Sequence, residues 1–310
     1  MNFVKPTGQP AATLVHISDF HLCRPRSAPW SAFVNKRALS LLSWKARRGR
    51  EHGSNVFDAL VEAARRIPSD QVAVTGDLTQ LGLSAEFEQA RAWLRRLGPP
   101  EKVFVVPGNH DALVAPPAGH PFPFAAVADY MASDPAAALA QPEYPTLRLR
   151  GCLALIGVSS AHPTPPFSAA GSIGRAQFGR LAALLADCGR RALYRTVLIH
   201  HPPSAEGISP RKRLQDAPDL RALIERHGAE LILHGHIHRR FDSRIPGPAG
   251  PVPVCGTSSA TALAADRRHR ALLRVFRIHP AGPGWRTTLQ DFAYHPDAGR
   301  FLPESEKSLH

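Results

Sequence analysis

The sequence lacks the features of a secreted or membrane-spanning protein. It has four cysteines in 310 residues, far apart and without a C-x-x-C pair: Cys23, Cys152, Cys188 and Cys255. This spacing excludes a cysteine zinc ribbon and gives no support for a disulfide framework. No apolar run approaches the roughly 18–20 residues that a transmembrane helix needs. The first residues contain no apolar core of a secretory signal. We therefore expect four buried free thiols and a cytoplasmic protein.

Acidic residues are also scarce relative to basic ones. Aspartate and glutamate total 25 against 38 lysines and arginines, which gives a formal net charge of +13. The composition, 44% apolar and 20% charged, is that of a folded chain. The positive charge indicates an anionic partner. Nucleic acid is the least favoured one, because the arginines are scattered and no nucleic-acid-binding motif accompanies them.

Short apolar runs alternate with helical patterns along the chain. The spacing predicts strands at 14–17, 71–75 and 103–106, with helices between them that begin near Ser54 and Ser84. This β-α-β-α-β order is typical of helices packed on a sheet. The second half repeats the pattern less regularly, with further strands predicted at 147–150, 152–158, 196–199, 231–233, 252–255, 271–278 and 285–292. We expect one domain over residues 1–296 and a loose polar tail over 297–310.

Asp, Asn and His side chains follow five of the predicted strands. They are Asp19 and His21, then Asp77, then Asn109, His110 and Asp111, then His200, and finally His236 and His238. Ligand sites in α/β sheets lie outside the carboxyl ends of the strands, so these side chains are expected to share one crevice. Oxygen and imidazole donors without a thiolate suit divalent ions such as Mn, Fe, Zn or Co.

Local geometry suggests how these groups are presented. Residues i and i+2 of an extended strand face the same way, so Asp19 with His21, and His236 with His238, would each present two groups to one side. A glycine stands directly before Asp77 and before two other candidate ligands. We expect these glycines to let the backbone turn sharply beside the ions.

The order of the motifs, D-x-H, G-D, G-N-H-D, H and G-H-x-H, resembles that of the calcineurin-like metallophosphoesterase superfamily. The resemblance covers roughly residues 13–260. Its segments look most like the bacterial class III cyclic-nucleotide phosphodiesterases, and they are residues 16–22, 74–79, 106–111, 200–203 and 235–238. The resemblance implies an α/β fold of four layers, in which two central mixed β-sheets are flanked by helices.

The resemblance also implies a dinuclear centre of two divalent metal ions. The implied ligands are Asp19, His21 and His238 for one ion, Asn109, His200 and His236 for the other, and Asp77 as the bridge. Two cations about 3.5–4 Å apart repel each other and need shared anions, which a carboxylate and a hydroxide can supply. A hydroxide that bridges the ions is then the expected nucleophile.

Two residues next to the ligand Asn109 are predicted to take part in catalysis. His110 resembles the family's histidine that donates to a phosphoryl or leaving oxygen, as a general acid or an electrostatic stabiliser. Asp111 is expected to orient it. His201 and His234 are interpreted as structural histidines.

A basic amphipathic insert over residues 23–53 separates the first two motifs. It holds eight basic residues, Arg24, Arg26, Lys36, Arg37, Lys45, Arg47, Arg48 and Arg50, and one acid, Glu51. Because the insert follows His21 directly, it is expected at the rim of the site. We interpret it as a solvated covering helix, as a segment that recruits an anionic substrate, or as a contact with the inner membrane face.

The leading functional hypothesis is a metal-dependent phosphodiesterase that acts on a small anionic phosphoester of the cyclic-nucleotide or glycerophosphodiester type. The alternative is a pyrophosphatase for a lipid-linked nucleotide sugar such as UDP-2,3-diacylglucosamine at the membrane face. It is suggested by residues 35–44, which weakly resemble an insert of such an enzyme. A nuclease and a non-catalytic scaffold rank lower. The scaffold is disfavoured because every expected ligand position is filled.

Overall fold

In the part of the chain that the structure describes, the fold consists of two β-sheets and six α-helices. A computed structural model describes residues 10–22, 35–43, 52–134, 143–204, 206–263, 266 and 268–309. The helices are α1 (Lys36–Ser43), α2 (Ser54–Arg66), α3 (Ser84–Leu97), α4 (Ala128–Met131), α5 (Arg175–Arg190) and α6 (Ala217–His227). Short 3-10 turns lie at Ala125–Val127, Pro210–Lys212 and Pro296–Ala298.

Sheet one has six strands in the order β12-β11-β10-β1-β2-β3. Its strands are β1 (Ala12–Ile17), β2 (Gln71–Val74), β3 (Val103–Val105), β10 (Leu272–Ala281), β11 (Gly284–His295) and β12 (Arg300–Ser308). Strands β1, β2 and β3 are parallel, whereas β10, β11 and β12 add to them in antiparallel fashion.

Sheet two has six strands in the order β4-β5-β6-β7-β9-β8. Its strands are β4 (Thr146–Arg150), β5 (Leu153–Gly157), β6 (Tyr194–Leu198), β7 (Leu231–His234), β8 (Phe241–Ile245) and β9 (Val252–Gly256). The four inner strands are parallel and the two outer ones antiparallel. Both sheets are therefore mixed, as predicted.

Three apolar cores define the layers. Alternate residues of β1 face opposite sides, with Val15 packing toward α2 and α3 and Leu14 packing toward sheet two. The middle core lies between the sheets and includes Phe104 and Leu198. The third core packs α5 and α6 on the outer face of sheet two. The order helix, sheet, sheet, helix confirms the predicted α/β architecture.

The structure corrects the prediction of a loose tail after residue 296. Strand β12 pairs with β11, and Phe301 and Leu309 are buried at 7% and 5% exposure. The sequence hid this strand because its other residues are mostly polar and face solvent. Successive side chains of a strand point to opposite faces, so a strand with one face in solvent can be polar at most of its positions.

The cysteines, the absence of a membrane-spanning helix and the basic insert were also predicted, and the structure describes each of them in part. Cys152, Cys188 and Cys255 are free thiols, although Cys152 is only partly buried, and Cys23 lies outside the described residues. No helix in the part of the chain that the structure describes is long and apolar enough to span a membrane. Of the insert, only 35–43 and 52–53 are described, so most of its basic residues lie outside the described part.

Candidate metal centre

Five strands deliver the candidate ligands to one place. Strands β1, β2 and β3 are parallel neighbours in sheet one, and β6 and β7 are parallel neighbours in sheet two. The carboxyl ends of the two sets meet at the same side of the molecule, where His200 Nε2 lies 3.1 Å from Asn109 Oδ1. The segments that follow them carry all seven candidate ligands, as the sequence predicted.

The first group of donors consists of Asp19, His21, Asp77 and His238, whose ligand atoms lie within 4.8 Å of one another. The Nε2 atoms of His21 and His238 are 3.1 Å apart, and His238 Nε2 is 3.2 Å from Asp19 Oδ1. Ligands bound 2.0–2.2 Å from one ion are about 3 Å apart, so this spacing fits a single divalent ion.

The second group lies around His200. Its Nε2 atom is 3.1 Å from Asn109 Oδ1 and 3.4 Å from Asp77 Oδ2. The ring nitrogens of His200, His201 and His236 form a cluster within 4.8 Å. The same Asp77 Oδ2 atom is 3.7 Å from His21 Nε2 in the first group. One carboxylate oxygen thus stands between the two groups.

Hydrogen bonds to backbone carbonyls fix which ring nitrogens carry protons. His200 Nδ1 donates to the Thr75 carbonyl at 2.7 Å, and His236 Nε2 donates to the Lys212 carbonyl at 3.0 Å. A carbonyl only accepts, so these bonds use Nδ1 of His200 and Nε2 of His236 and leave the opposite ring nitrogen of each available to a metal, which would displace any proton there. His201 differs, because both of its nitrogens contact protein atoms, Ser160 Oγ at 2.8 Å and the Ala169 carbonyl at 3.1 Å. This arrangement supports its structural interpretation.

The backbone of the site is left-handed at most candidate ligands. Strand β1 ends at Ile17 and β7 ends at His234, so the ligand pairs lie beyond the strands. The expectation of an extended i, i+2 presentation is therefore wrong. Among the described residues, seven that are not glycine have positive φ, and five of them are candidate ligands: Asp19 (56°), His21 (47°), Asp77 (53°), His236 (70°) and His238 (49°). Such conformations cost about 1–2 kcal/mol each and persist mainly at functional sites.

Three glycines let the ligand loops approach each other. Of the three, only Gly76, with φ of 100°, makes the sharp turn that was predicted for each of them. A Cβ atom on Gly108 would lie 2.2 Å from Asp77 Oδ1, and one on Gly235 would lie 2.1 Å from Ser18 Oγ. At these two positions the missing side chain provides space for a neighbouring loop.

His110 lies beside the two groups, with its ring centroid 5.1 Å from that of His21. Its Nδ1 atom donates to the Gln80 carbonyl at 2.7 Å. The carboxylate of Asp111 instead accepts hydrogen bonds from the backbone N–H groups of Thr79 and Gly108, both at 2.9 Å. The orienting contact that was predicted for Asp111 therefore belongs to Gln80, and Asp111 holds the loops together.

The charges around Asp77 keep its carboxyl ionised. Burial opposes ionisation, but His200, His110 and His21 outweigh it and hold the pKa of Asp77 well below its usual range. The backbone N–H of His110 also donates to Asp77 Oδ1 at 2.8 Å. Asp77 is therefore an anion at neutral pH, as a residue shared by two cations must be.

Sequence reasoning missed two residues at the site. The backbone carbonyl of Gln80 accepts the hydrogen bond from His110 Nδ1, and its side-chain Nε2 donates to the His21 carbonyl at 3.0 Å. A carbonyl is common to all residues, so no sequence signal marked this role. The ring of His52 lies 5.3 Å from that of His21, and its Nδ1 atom is 2.9 Å from Thr261 Oγ1. His52 was overlooked because it follows the basic stretch of the insert and belongs to no motif.

Helix α1 lies at the rim of the site, as predicted for the insert. Lys36 Nζ donates to Thr164 Oγ1 at 2.6 Å and to the Ser168 carbonyl at 2.5 Å. Arg37 Nε donates to the Leu81 carbonyl at 2.8 Å. These two cations of the insert therefore join α1 to two loops of the rim.

The fold and the site define a metal-dependent phosphoric ester hydrolase. The chain matches the family model described as calcineurin-like phosphoesterase over residues 12–240. It therefore belongs to the calcineurin-like phosphoesterase family. These enzymes use two divalent metals, and the two donor groups are candidate sites for them.

Solved structures show the same fold at low sequence identity. A dimetal phosphatase from Danio rerio superposes with a TM-score of 0.57 at 12% identity, covering 97% of this chain and 99% of that one. A purple acid phosphatase from yellow lupin (Lupinus luteus) seeds gives 0.58 at 12% identity, covering 96% of this chain and 54% of the lupin chain. A sulfate thiohydrolase from Thermus thermophilus gives 0.52 at 15% identity, covering 97% and 58%. No curated protein matches the sequence significantly.

Proposed function

We propose that the protein is a dinuclear metal-dependent phosphodiesterase that hydrolyses a small anionic diester of the cyclic-nucleotide or glycerophosphodiester type. The observation that carries the proposal is the position of Asp77 Oδ2, which is 3.7 Å from His21 Nε2 and 3.4 Å from His200 Nε2. A single anionic oxygen between two ligand groups is what two neighbouring cations require.

The proposed ligands divide as the two donor groups do. Asp77 is the shared ligand, and the others are Asp19, His21 and His238 for one ion and Asn109, His200 and His236 for the other. Oxygen and imidazole donors without a thiolate fit Mn, Fe, Zn or Co. The carbonyls that hold His200 and His236 support the assignment, because they leave one ring lone pair of each histidine for a metal.

The chemistry divides between the ions and the protein. Two divalent ions bound there would act as Lewis acids, lower the pKa of water and neutralise phosphoryl oxygens. Gln80 engages Nδ1 of His110, so a proton given to the leaving oxygen would come from Nε2. The backbone N–H of His110 donates a hydrogen bond to the Asp77 carboxylate and holds it in place. The Asp111 carboxylate accepts from the backbone N–H of Gly108 and so fixes the loop that carries Asn109 and His110.

We favour a diester over a monoester because a groove beside the site would receive a second ester group. A groove of about 410 Å³ opens beside Asn109 and His110. The motifs at 106–111 and 200–203 support a relationship to the bacterial class III cyclic-nucleotide phosphodiesterases within the family.

The site assignment is tested with Asp77→Ala and bis(p-nitrophenyl) phosphate. With added Mn or Zn, we expect the variant to lose hydrolysis and bound metal while its far-ultraviolet circular dichroism is unchanged. Asp187→Ala, which removes an exposed carboxylate at the end of α5, is the matched control and keeps full activity. Wild-type turnover by Asp77→Ala would show that the assignment is wrong.

A substrate panel tests the substrate class. We expect hydrolysis of cyclic AMP or of a glycerophosphodiester, and none of a UDP-linked diacyl sugar. Turnover of the lipid-linked sugar alone would contradict the proposed class and leave the metal assignment intact.

A further inference from the structure

The groove of about 410 Å³ beside the metal centre is lined by several basic residues. Among the residues that the structure describes, three basic ones and no acidic one line it, together with polar and apolar residues, and the lining includes Lys36, Leu39, Leu113, Phe167, Arg211 and Lys212. An anionic molecule is therefore the complementary occupant. Asn109 and His110, which lie at the candidate metal centre, also line the groove.

Phe167 stands out on the wall of this groove. It is 73% exposed and has a φ of 65°, in the left-handed region. It is the third residue of the turn 165–168, which is closed by a hydrogen bond from Ser168 N to the Pro165 carbonyl at 3.2 Å. Glycine or asparagine normally occupies this position of a turn when φ is positive, and a bulky residue there is an outlier.

Neighbouring contacts hold this turn in place. Lys36 Nζ binds Thr164 Oγ1 and the Ser168 carbonyl, and Thr164 Oγ1 itself donates to the Ser168 carbonyl at 2.7 Å. Ala169 N donates to the Arg211 carbonyl at 2.8 Å. The exposed ring gains little from packing within the protein, so folding alone gives no reason to place phenylalanine at this strained position.

We propose that Phe167 is a specificity-determining residue whose ring stacks on a planar aromatic group carried by the substrate's second ester position. The inference rests on the proposed function, since it assumes a diester at the metal centre. The volume of about 410 Å³ suits one ring system with its sugar or linker. Leu39 and Leu113 supply further apolar contact, while Lys36, Arg211 and Lys212 favour a negatively charged substrate.

Two chromogenic diesters test this inference, phenyl p-nitrophenyl phosphate and methyl p-nitrophenyl phosphate. Both release p-nitrophenolate, so the ratio of their kcat/KM values reports the benefit of an aromatic second group. We expect Phe167→Ala to lower the phenyl-to-methyl ratio about five- to tenfold, the loss of one stacked aromatic contact with its buried area. Phe167→Trp keeps the ratio within about twofold, since its ring also stacks.

Phe167→Gly separates recognition from folding. Glycine adopts positive φ without strain, so we expect this variant to lower the ratio as Phe167→Ala does, without a fall in Tm. Leu42→Ala is the matched control, because Leu42 is 63% exposed on α1 and does not line the groove. Its ratio should equal that of the wild type.

The outcomes distinguish the two proposals. If the wild-type protein with Mn or Zn hydrolyses neither diester, the proposed function fails and the inference with it. If the wild type hydrolyses both diesters and the phenyl-to-methyl ratio in Phe167→Ala and Phe167→Gly equals the wild-type ratio, Phe167 does not recognise the second ester group. The phosphodiesterase proposal then stands without the inference.

Discussion

At the scale of single residues, the space left by glycine decides how closely the ligand loops meet. A Cβ atom on Gly235 would lie 2.1 Å from Ser18 Oγ and 2.4 Å from Asp19 Oδ2. We expect Gly235→Ala to displace Asp19, to lower metal content and activity at least tenfold, and to reduce stability by about 1–3 kcal/mol through overpacking. Metal analysis, turnover of bis(p-nitrophenyl) phosphate and thermal unfolding check this.

A glycine-to-alanine substitution in a helix is the control for Gly235→Ala. Gly179 lies within α5, and a Cβ atom there would meet nothing within 4 Å. Gly179→Ala should therefore stabilise the protein by about 0.5–1 kcal/mol with no change in activity. Wild-type metal content in Gly235→Ala would contradict the close approach that the structure shows.

His110 gives a second prediction at this scale. If it donates a proton from Nε2, His110→Ala should lower kcat roughly 10²- to 10⁴-fold while both metals stay bound. Steady-state kinetics and metal analysis of the same preparation are the measurements. Loss of both ions from this variant would instead assign His110 a structural role.

The candidate ligands could be predicted because their chemistry is carried by the side chains of Asp, Asn and His at strand ends. The support around them could not. Gln80 acts on His110 through a carbonyl that any residue has, and the left-handed backbone of Asp19 and His21 is set by the loops that pack around them. Those loops include 258–262, where Ser259 Oγ and Thr261 Oγ1 each donate to a backbone carbonyl of the β1 loop at 2.6 Å.

At the scale of elements, the C-terminal strand β12 is part of the folded structure. It buries Phe301 and is followed by the buried Leu309, and Lys307 pairs with Asp242 of β8 at 2.8 Å. We expect a chain that stops after Gly299 to lose about 3–6 kcal/mol of stability, since burying each of the two large apolar side chains contributes about 1.5–3 kcal/mol. Denaturant unfolding measures the change.

Removal of His310 alone is the control for this truncation, because it leaves β12 and Leu309 in place. Its unfolding midpoint should match that of the full chain. An equal midpoint for the chain that stops at Gly299 would show that β12 adds nothing to stability.

Strands were predictable from sequence where both faces are buried. The strands β1, β2 and β3 are mostly apolar and fully buried because sheet two covers one face and helices cover the other. Strands β8 and β12 were missed because each lies on the outside of a sheet and carries polar residues on its solvent face.

At the scale of the whole molecule, one buried arginine joins the two sheets. Arg274 of β10 is fully buried, and its guanidinium contacts Asp242 of β8 at 2.5 and 2.9 Å and Asp291 of β11 at 2.9 Å. Removing one partner of such a group leaves a buried charge without compensation and typically costs about 3–5 kcal/mol. At pH 7 we expect Asp242→Asn to lower the free energy of unfolding by somewhat less than this, because Asp291 still pairs with Arg274.

The same contact makes stability depend on pH. Burial opposes ionisation of Asp242, but Arg274 and then Lys307 outweigh it and lower the pKa of the carboxyl. Because the folded pKa lies below the unfolded value of about 3.9, the contribution is complete above that value and is lost as pH falls toward the folded pKa. The wild-type Tm should therefore fall more steeply than that of Asp242→Asn between about pH 5 and 3.

An exposed carboxylate serves as the control for the pH experiment. Asp187→Asn removes a surface group paired with Arg190, and its Tm should follow the wild-type curve at every pH. Parallel curves for Asp242→Asn and the wild type would show that this pair does not contribute to acid unfolding.

Strand β12 is also the outermost strand of sheet one. The outermost strand of a sheet offers unpaired backbone groups that can template aggregation, and charges or proline on it discourage this. In β12 these safeguards are Pro303, Glu304, Glu306 and Lys307. Without β12, the long strand β11 would present its own backbone, so chains shortened by proteolysis at Gly299 would become seeds for self-association as well as less stable molecules.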